Sequence, residues 1–318
     1  MREVAEVEAM STKVVVLLGW PARSSLSPAM HEAGFRAVGL DWRYVPVDIP
    51  PGRLEAAQAL LRSPSVVGAN VTIPHKEDAL AFVDTLTPRA SAAGALNTIV
   101  KSDGALLGDN TDGLGLLRTL AAKGARPEGR KVVLFGAGGA ARGAAAALAQ
   151  AGASELVVLN RTLDRAVRLA DVTLAASAGQ LRARAYPWFH EDDDPRLLQD
   201  ALDGAGIVVN TTPVTRDPWA SPIPDQVVDR LSPARDCVFC DMVYRPAMTR
   251  LLRQGQSLGF RTVSGLEILL YQALPAFEAW TGKSAPSEVM EAALRSAAAA
   301  MDQPGGERLG HAPVYDGR

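Results

Sequence analysis

Short apolar runs alternate with amphipathic stretches along most of the chain, the pattern of strands that feed helices. Lys13–Leu18 is apolar, stops at Gly19 and predicts a first strand. Pro28–Gly39 predicts a helix, Trp42–Val47 a strand, and Gly52–Arg62 a helix closed by Ser63-Pro64. Ser65–Val71 predicts another strand, followed by a polar loop and a short helix from Lys76. Asn97–Lys101 and Ala105–Leu107 read as a hairpin around Ser102-Asp103-Gly104. Asp112–Lys123 predicts a helix leading out of this first series, and Gly124–Arg130 breaks the pattern. A second series starts at Lys131, with strands expected at Lys131–Phe135, Glu155–Asn160, Ile207–Asn210 and Asp236–Met242. Helices over Gly265–Trp280 and Pro286–Met301 end it. No repeat at solenoid spacing is present.

Composition narrows the setting. The 318 residues suffice for two ordinary domains, and a hydrophobic fraction of 47% can fill their cores. A formal net charge of −2 offers no basic field to nucleic acid or to an anionic membrane surface. No apolar run is long enough to span a bilayer. Met1–Lys13 carries glutamates and no positive segment leading into an apolar one, so it reads as a short polar extension rather than a secretory signal. The tail from Gln303 to Arg318, rich in Gly, Pro and charge, is expected to be mobile. A cytoplasmic protein is the expectation. Cys237-Val-Phe-Cys240 has C-x-x-C spacing but sits inside a predicted strand with no two further ligands nearby, which favours buried structural cysteines over zinc or redox chemistry. The four histidines form no metal-ligand cluster, and no metal is expected.

The second series opens on a nucleotide-binding pattern. The β-branched run Lys131–Phe135 feeds Gly136-Ala137-Gly138-Gly139-Ala140-Ala141, which fits G-x-G-x-x-A, and an alanine-rich helix follows over Arg142–Ala151. Gly136 permits the tight turn, Gly138 lets the backbone approach a pyrophosphate, and Ala141 allows close helix–strand packing. The helix N-terminus then offers N–H groups to the phosphates. The next strand ends in Asn160-Arg161-Thr162, where an NAD site would have Asp or Glu for the ribose 2′-hydroxyl. Arg161 and Arg165, four apart and so expected on one side of a helix start, suit a 2′-phosphate instead. The cofactor predicted is NADP.

Four polar clusters fall at strand ends of the first series: Ser24-Ser25-Leu26-Ser27-Pro28, Asn70–Lys76, Asn97-Thr98 and Gly108-Asp109-Asn110-Thr111-Asp112-Gly113. Each has a bland explanation. Ser27 and Asp112 could be helix N-caps, Lys76 a surface lysine, and Asn70 and Asn97 loop supports. Trp219, in a Pro-rich loop after Asn210-Thr211-Thr212-Pro213, reads as a packing residue.

Taken in order, these motifs resemble the shikimate dehydrogenase family. Ser-x-Ser-Pro, Asn-Val-Thr-Ile-Pro-His-Lys, Gly-Ala-Leu-Asn-Thr, Gly-Asp-Asn-Thr-Asp-Gly, Gly-Ala-Gly-Gly-Ala-Ala-Arg, Asn-Arg-Thr, Asp-Met-Val-Tyr and Gly-Leu-Glu-Ile-Leu-Leu-Tyr-Gln follow one another as they do in that family, across residues 14 to 302. The resemblance implies that Ser25 and Ser27 bind a substrate carboxylate. It implies that Thr72, Asn97 and Gln272 bind ring hydroxyls, with Tyr244 near the substrate. It makes Lys76 and Asp112 the catalytic pair. Gly136, Ala137, Gly138, Gly139, Ala140, Asn160, Arg161, Thr162 and Arg165 would form the NADP site, with Gly265 contacting the nicotinamide region through its backbone. Two positions depart from the common pattern: Ser24 stands where histidine is frequent, and Glu267 where methionine is frequent. A carboxylate at Glu267 would weaken cofactor binding or point to solvent.

The chemistry fits. Oxidising a secondary alcohol by hydride transfer also requires moving the hydroxyl proton, and a lysine beside an aspartate can do this while stabilising charge on oxygen. Whether Lys76 or Asp112 takes the proton stays open. His75 reads as a packing or loop residue. The expected fold is α/β with two domains: a substrate-binding domain, residues 1–112 and 262–318, and a Rossmann-type NADP-binding domain, residues 113–261. The active site is expected in the cleft between them, with Lys76 and Asp112 facing each other across the substrate. The expected reaction is reversible NADPH-dependent reduction of 3-dehydroshikimate to shikimate by a monomer or homodimer. A quinate/shikimate dehydrogenase using NAD and a catalytically silent NADP-binding regulator are the alternatives.

Overall fold

The computed structural model describes residues 10, 12–177, 179–188 and 195–301. The tail expected to be mobile lies outside the described residues, as does most of the polar extension. In chain order the elements are β1 (Lys13–Gly19), α1 (Ser27–Ala37), β2 (Trp42–Asp48), α2 (Ala56–Arg62), β3 (Val66–Val71), β4 (Thr85–Leu86), α3 (Pro88–Ala93), β5 (Thr98–Ser102), β6 (Ala105–Asp109) and α4 (Asp112–Ala122). They continue with β7 (Lys131–Phe135), α5 (Gly139–Gln150), β8 (Glu155–Asn160), α6 (Leu163–Ala176), β9 (Arg182–Pro187), α7 (Pro195–Leu202), β10 (Ala205–Asn210), α8 (Asp225–Val228), β11 (Val238–Asp241), α9 (Arg250–Ser257), β12 (Arg261–Val263), α10 (Gly265–Thr281) and α11 (Ser287–Met301).

The chain divides into two compact units. The first comprises the described residues of Met1–Thr87, Leu96–Asp109 and Ala273–Arg318; the second comprises Pro88–Ala95 and Asn110–Gln272. These bounds differ from the expected ones at 88–95, 110–112 and 262–272, all of which fall in the second unit. Packing accounts for the first and the last. The start of α10 lies against second-unit backbone: a Cβ on Gly265 would stand 2.3 Å from Val243 O, and one on Gly115 2.7 Å from Gln272 Cβ. Further along the same helix, Phe277 stacks on Phe35 and Trp280 Nε1 donates to Ile99 O at 2.9 Å, both in the first unit. The short α3 packs on α5.

The first unit is built on a six-stranded mixed sheet of order β2-β1-β3-β5-β6-β4. β1 runs parallel to β2 and β3, while β3–β5 and β5–β6 are antiparallel. Val14, Val15 and Val16 are wholly buried, which is why β1 reads as an unbroken apolar run rather than an alternation. The β5–β6 turn puts Asp103 at φ 49 and Gly104 at φ 82, the left-handed pair a tight hairpin needs. The two-residue β4 was not legible in the sequence pattern.

The second unit is a six-stranded, wholly parallel sheet of order β12-β11-β10-β7-β8-β9. Its interior strands bury both faces. Val132, Leu134, Val158 and Val209 join one apolar cluster with Ala141, Ala144 and Leu148 of α5; Val133, Phe135, Val157 and Val208 join another with Leu198 and Leu251. The alanines of α5 thus serve close helix–sheet packing as well as helix propensity. The edge strand β9 alternates Arg and Ala, and Arg184 Nη2 reaches Glu155 Oε1 of β8 at 2.7 Å. Cys237 and Cys240 are buried thiols before and within β11, and burial pushes Cys237 up to about 12 and Cys240 well above its ordinary value, so neither is poised for redox or ligand chemistry.

Candidate active site

In the first unit, the loops that leave β1, β2 and β3 are stitched together at one end of the sheet. Trp20 N–H donates to Ile73 O at 2.9 Å and Ile49 N–H to Gly19 O at 2.8 Å. His75 is wholly buried, and its Nε2 donates to Ile49 O at 2.7 Å, so it is a loop support, as its place in the motif suggested. After β1, Asp48 Oδ1 accepts from Ala22 N–H at 2.6 Å and anchors the turn that carries the serine pair. Ser25 Oγ lies 3.1 Å from Ser27 Oγ and accepts from Ser27 N–H. Ser27 is not the N-cap of α1: Leu26 holds that position with no side-chain bond, and Ser27 is the first helical residue. Two hydroxyls therefore converge at the positive end of an 11-residue helix.

The 70–76 loop is held by Asn70. Tyr44 Oη donates to Asn70 Oδ1 at 2.7 Å, and Asn70 Nδ2 donates to Asn97 O at 2.9 Å and Thr98 Oγ1 at 3.2 Å. Thr98 Oγ1 donates to Asn97 Oδ1 at 3.0 Å. Leu96 N–H donates to Lys76 O at 2.8 Å, and Thr72 N–H to Leu18 O at 2.9 Å. Backbone bonds thus tie the 70–76 loop to β1 and to the segment that leads into β5, and the Asn70 amide holds Asn97 beside it.

In the second unit, Asp112 is buried and begins α4, but Thr111 occupies the N-cap position, and its side chain makes no capping bond. Asn110 does the capping: its Oδ1 accepts from Asp112 N–H at 3.2 Å while its Nδ2 donates to Ala95 O at 3.0 Å. Thr111 Oγ1 donates to Gln272 Oε1 at 3.3 Å, which brings Gln272 beside the start of α4. The bland N-cap reading fails for Asp112 as it does for Ser27. Gly265 approaches the backbone of Val243 and Tyr244 too closely for any side chain, so the half-buried Tyr244 and the N-terminus of α10 are neighbours.

The glycine loop after β7 has the geometry its sequence predicts. Gly136 sits at φ 106, and its N–H donates to Leu159 O at 2.8 Å. Nothing lies within 4 Å of where a Cβ on Gly138 would stand, which leaves room for a phosphate at the N-terminus of the 12-residue α5. β8 ends at Asn160, whose Nδ2 donates to Thr162 O at 2.8 Å. Arg161 and Arg165 are both exposed, but they do not share a helix: α6 begins at Leu163, so Arg161 precedes it and Arg165 lies in its first turn. The i, i+4 argument for the pair is therefore corrected, since Thr162 in extended backbone intervenes.

Glu267 neither points to solvent nor hangs loose. Ser264 and Glu267 form a capping box: Ser264 N–H and Oγ each donate to Glu267 Oε2 at 2.9 Å, and Glu267 N–H points back to Ser264 Oγ. Glu267 Oε1 pairs with Lys123 Nζ at 2.7 Å. Burial would raise its carboxyl, but the bonds from Lys123 and Ser264 outweigh that and hold it below its ordinary value.

Family models match three stretches: a shikimate dehydrogenase substrate binding domain at residues 17–99, a shikimate / quinate 5-dehydrogenase model at 119–183, and a shikimate 5′-dehydrogenase C-terminal domain at 265–295. A shikimate dehydrogenase (NADP(+)) of Symbiobacterium thermophilum is 43% identical over 90% of this chain and 94% of its own length. The chain belongs to the shikimate dehydrogenase family. Its fold matches the shikimate 5-dehydrogenase of Thermus thermophilus, solved in complex with NADP(H) and shikimate, with a TM-score of 0.75 and 36% identity over 90% of this chain and 100% of that one. A ligand-free 5-ketofructose reductase of Gluconobacter also matches, with a TM-score of 0.77 and 30% identity over 91% of this chain and 100% of that one. The α/β architecture, with an N-terminal substrate-binding domain and a C-terminal NADP-binding domain, is that of the shikimate dehydrogenase family.

Sequence reasoning about this family member missed several polar supports. Tyr44, Asn110, and a buried network of Asn210, Thr212, Thr215, Asp241 and Thr249 were not singled out. One signal was available: an asparagine at a strand end followed by hydroxyl residues and proline, as in Asn210-Thr211-Thr212-Pro213, marks a side-chain-closed turn. Among the described residues no helix is long and apolar enough to cross a membrane, and no three His, Cys, Asp or Glu side chains are grouped to hold a metal ion.

Proposed function

We propose that this chain catalyses the reversible NADPH-dependent reduction of 3-dehydroshikimate to shikimate, acting as a monomer or homodimer in the cytoplasm. The observation that carries the reading is the serine pair. Two hydroxyls 3.1 Å apart at the N-terminus of α1 suit a carboxylate, because they donate to it while the helix end favours its charge. The hydroxyls of such a substrate need amide and hydroxyl partners, and Thr72, Asn97, Gln272 and Tyr244 take those roles.

NADPH, when bound, supplies the hydride. Gly136, Ala137, Gly138, Gly139 and Ala140 would hold its pyrophosphate at the start of α5, with Asn160, Arg161, Thr162 and Arg165 on the 2′-phosphate side and Gly265 near the nicotinamide. Arg161 and Arg165 offer planar, permanently charged donors, and no carboxylate at the end of β8 opposes a phosphate. Lys76 Nζ stabilises charge on the reacting oxygen, and Lys76 and Asp112 hold and return the hydroxyl proton.

The test follows NADPH absorbance with shikimate and with quinate, each with NADP and NAD. Turnover is expected with shikimate and NADP, and Lys76→Ala and Asp112→Ala should each lower it by about 100-fold or more while the far-UV spectrum is kept. Faster turnover with quinate and NAD, or unchanged turnover in both variants, overturns the reading. Binding of NADPH with no turnover of either alcohol would make the chain a silent cofactor-binding protein.

A further inference from the structure

Asp241, at the end of β11, is wholly buried and lies outside every role given above. Asn210 Nδ2 donates to its Oδ1 at 2.9 Å, Val243 N–H to the same oxygen at 3.0 Å, and Thr249 Oγ1 to its Oδ2 at 2.7 Å. Thr215 adds a fourth hydrogen bond. Thr215 Oγ1 itself accepts from Asn210 Nδ2 at 3.0 Å, so its proton is available for the carboxylate. Asn210 Nδ2 and Val243 N–H can only donate, so Oδ1 is held as an acceptor, and the two threonine hydroxyls are placed to donate to the same carboxylate.

Each donor belongs to a different piece of the unit. Asn210 also closes its own turn: its Oδ1 accepts from Thr212 N–H at 3.0 Å and Thr212 Oγ1 at 2.7 Å, and its Nδ2 donates to Thr212 O. That turn lies against the glycine loop. A Cβ on Gly136 would stand 2.3 Å from Thr211 Oγ1 and 3.1 Å from Thr212 Cγ2, and Thr211 Oγ1 donates to Phe135 O at 2.7 Å. On the other side, Val243 leads into Tyr244, whose backbone is the surface on which Gly265 packs. Thr249 is the N-cap of α9.

We propose that Asp241 is a positioning residue that fixes the Thr211–Thr212 turn against the dinucleotide loop and the Val243–Tyr244 segment beside α10 as one arrangement, so that cofactor and substrate contacts depend on the same carboxylate. The substrate half of this proposal rests on the function proposed above. Burial works against the charge and the four donors offset it, so the arrangement holds only while all of them are aimed inward.

The experiment compares wild type with Asp241→Asn, Thr212→Val and Leu251→Ala. Asp241→Asn keeps the shape but turns one acceptor into a donor that faces donors. Thr212→Val removes one hydroxyl from the cofactor side with little change of volume. Leu251, wholly buried on α9, serves as a control for stability loss alone. NADPH affinity is read by fluorescence titration, KM for shikimate and kcat by absorbance, and folding by thermal melting. Asp241→Asn should weaken NADPH binding and raise the shikimate KM, each by about fivefold or more, and Thr212→Val should move both in the same direction. Leu251→Ala should lower the melting temperature and leave both constants within about twofold. The proposal is overturned if Asp241→Asn leaves both constants unchanged, or if Leu251→Ala shifts them as much. Should Asp241→Asn fail to fold, Thr212→Val decides: a change in NADPH affinity with no change in shikimate KM overturns the coupling. A wild type that binds NADPH but does not oxidise shikimate overturns the functional reading instead, and the NADPH affinities alone then decide the proposal.

Discussion

Asn70 closes β3 in the first unit's sheet, and Asn210 closes β10 in the second's. Each strand neighbours the first long buried strand of its sheet, β1 and β7 respectively. Each amide turns inward and holds the loop that follows. The anchors differ. Asn70 is met by uncharged groups, the phenolic hydroxyl of Tyr44, the carbonyl of Asn97 and the hydroxyl of Thr98. Asn210 is met by the carboxylate of Asp241. A neutral network can lose one member for about the value of a single hydrogen bond. A buried ion cannot, because each lost donor exposes charge that the interior does not solvate.

The two regions also answer to pH with opposite sign. His31 stacks on Tyr44 at 4.7 Å and is enclosed by Phe35, Phe277 and Trp280, and neither ring nitrogen has a hydrogen-bond partner. Burial lowers it from 6.5 to about 3. Above 6.5 both folded and unfolded states carry it neutral. As pH falls from 6.5 toward 3, only the unfolded state takes the proton, and the first unit loses stability. Asp241 is raised above 3.8 by burial, partly offset by its donors. The folded state there holds its proton more readily than the unfolded one, so its contribution is complete below 3.8 and falls as pH rises through the folded value.

The sharpest way to break this comparison is to remove the amide of the second network. Asn210→Leu should cost about 3–5 kcal/mol, because it strips a donor from a buried carboxylate and opens the Thr212 turn. Urea denaturation of the purified chain measures it. A loss of only about 1 kcal/mol, the value of one ordinary hydrogen bond, would show that the charge makes no difference.

The acid limb sharpens the comparison further. Between pH 6.5 and 5 the wild type should lose up to about 2 kcal/mol through His31, at no more than about 1.4 kcal/mol per pH unit. His31→Phe keeps the aromatic stack and removes the titrating group, so its stability should be flatter over that range. Equal slopes in the two proteins would mean that His31 takes up a proton without leaving its place.

Much of this was open to reading along the chain, and the exceptions have physical reasons. The glycine loop and the run Lys131–Phe135 are legible because a parallel strand buried on both faces must be apolar throughout and a turn at φ 106 admits only glycine comfortably. Ser25, Ser27, Lys76 and Asp112 stood out because polar residues crowd at strand ends. Tyr44 was hidden because an aromatic residue in a strand is ordinary, and only the fold shows that its hydroxyl meets an amide 26 positions away. Asp241 was hidden for the same reason: its donors come from three other segments of the chain. β9 escaped because an edge strand of Arg and Ala lacks the apolar signal that interior strands carry. Arg161 and Arg165 were judged by spacing alone, and the helix began two residues later than that spacing assumed.

The smallest effect is expected at Tyr44→Phe, and it bears most directly on what kind of anchor the first unit uses. The substitution keeps the ring in the His31 stack and deletes only the hydroxyl that donates to Asn70 Oδ1. Asn70 keeps both of its own donations, to Asn97 O and Thr98 Oγ1, so its side chain remains fixed at one end. The stability loss should be about 1 kcal/mol, with the acid limb unchanged because His31 is untouched. The shikimate KM should rise by no more than about fivefold, because Asn97 and Thr72 are still held by backbone bonds. A loss of about 3 kcal/mol or more would place the first network in the same class as the second, with Tyr44 as indispensable to Asn70 as Asp241 is to Asn210.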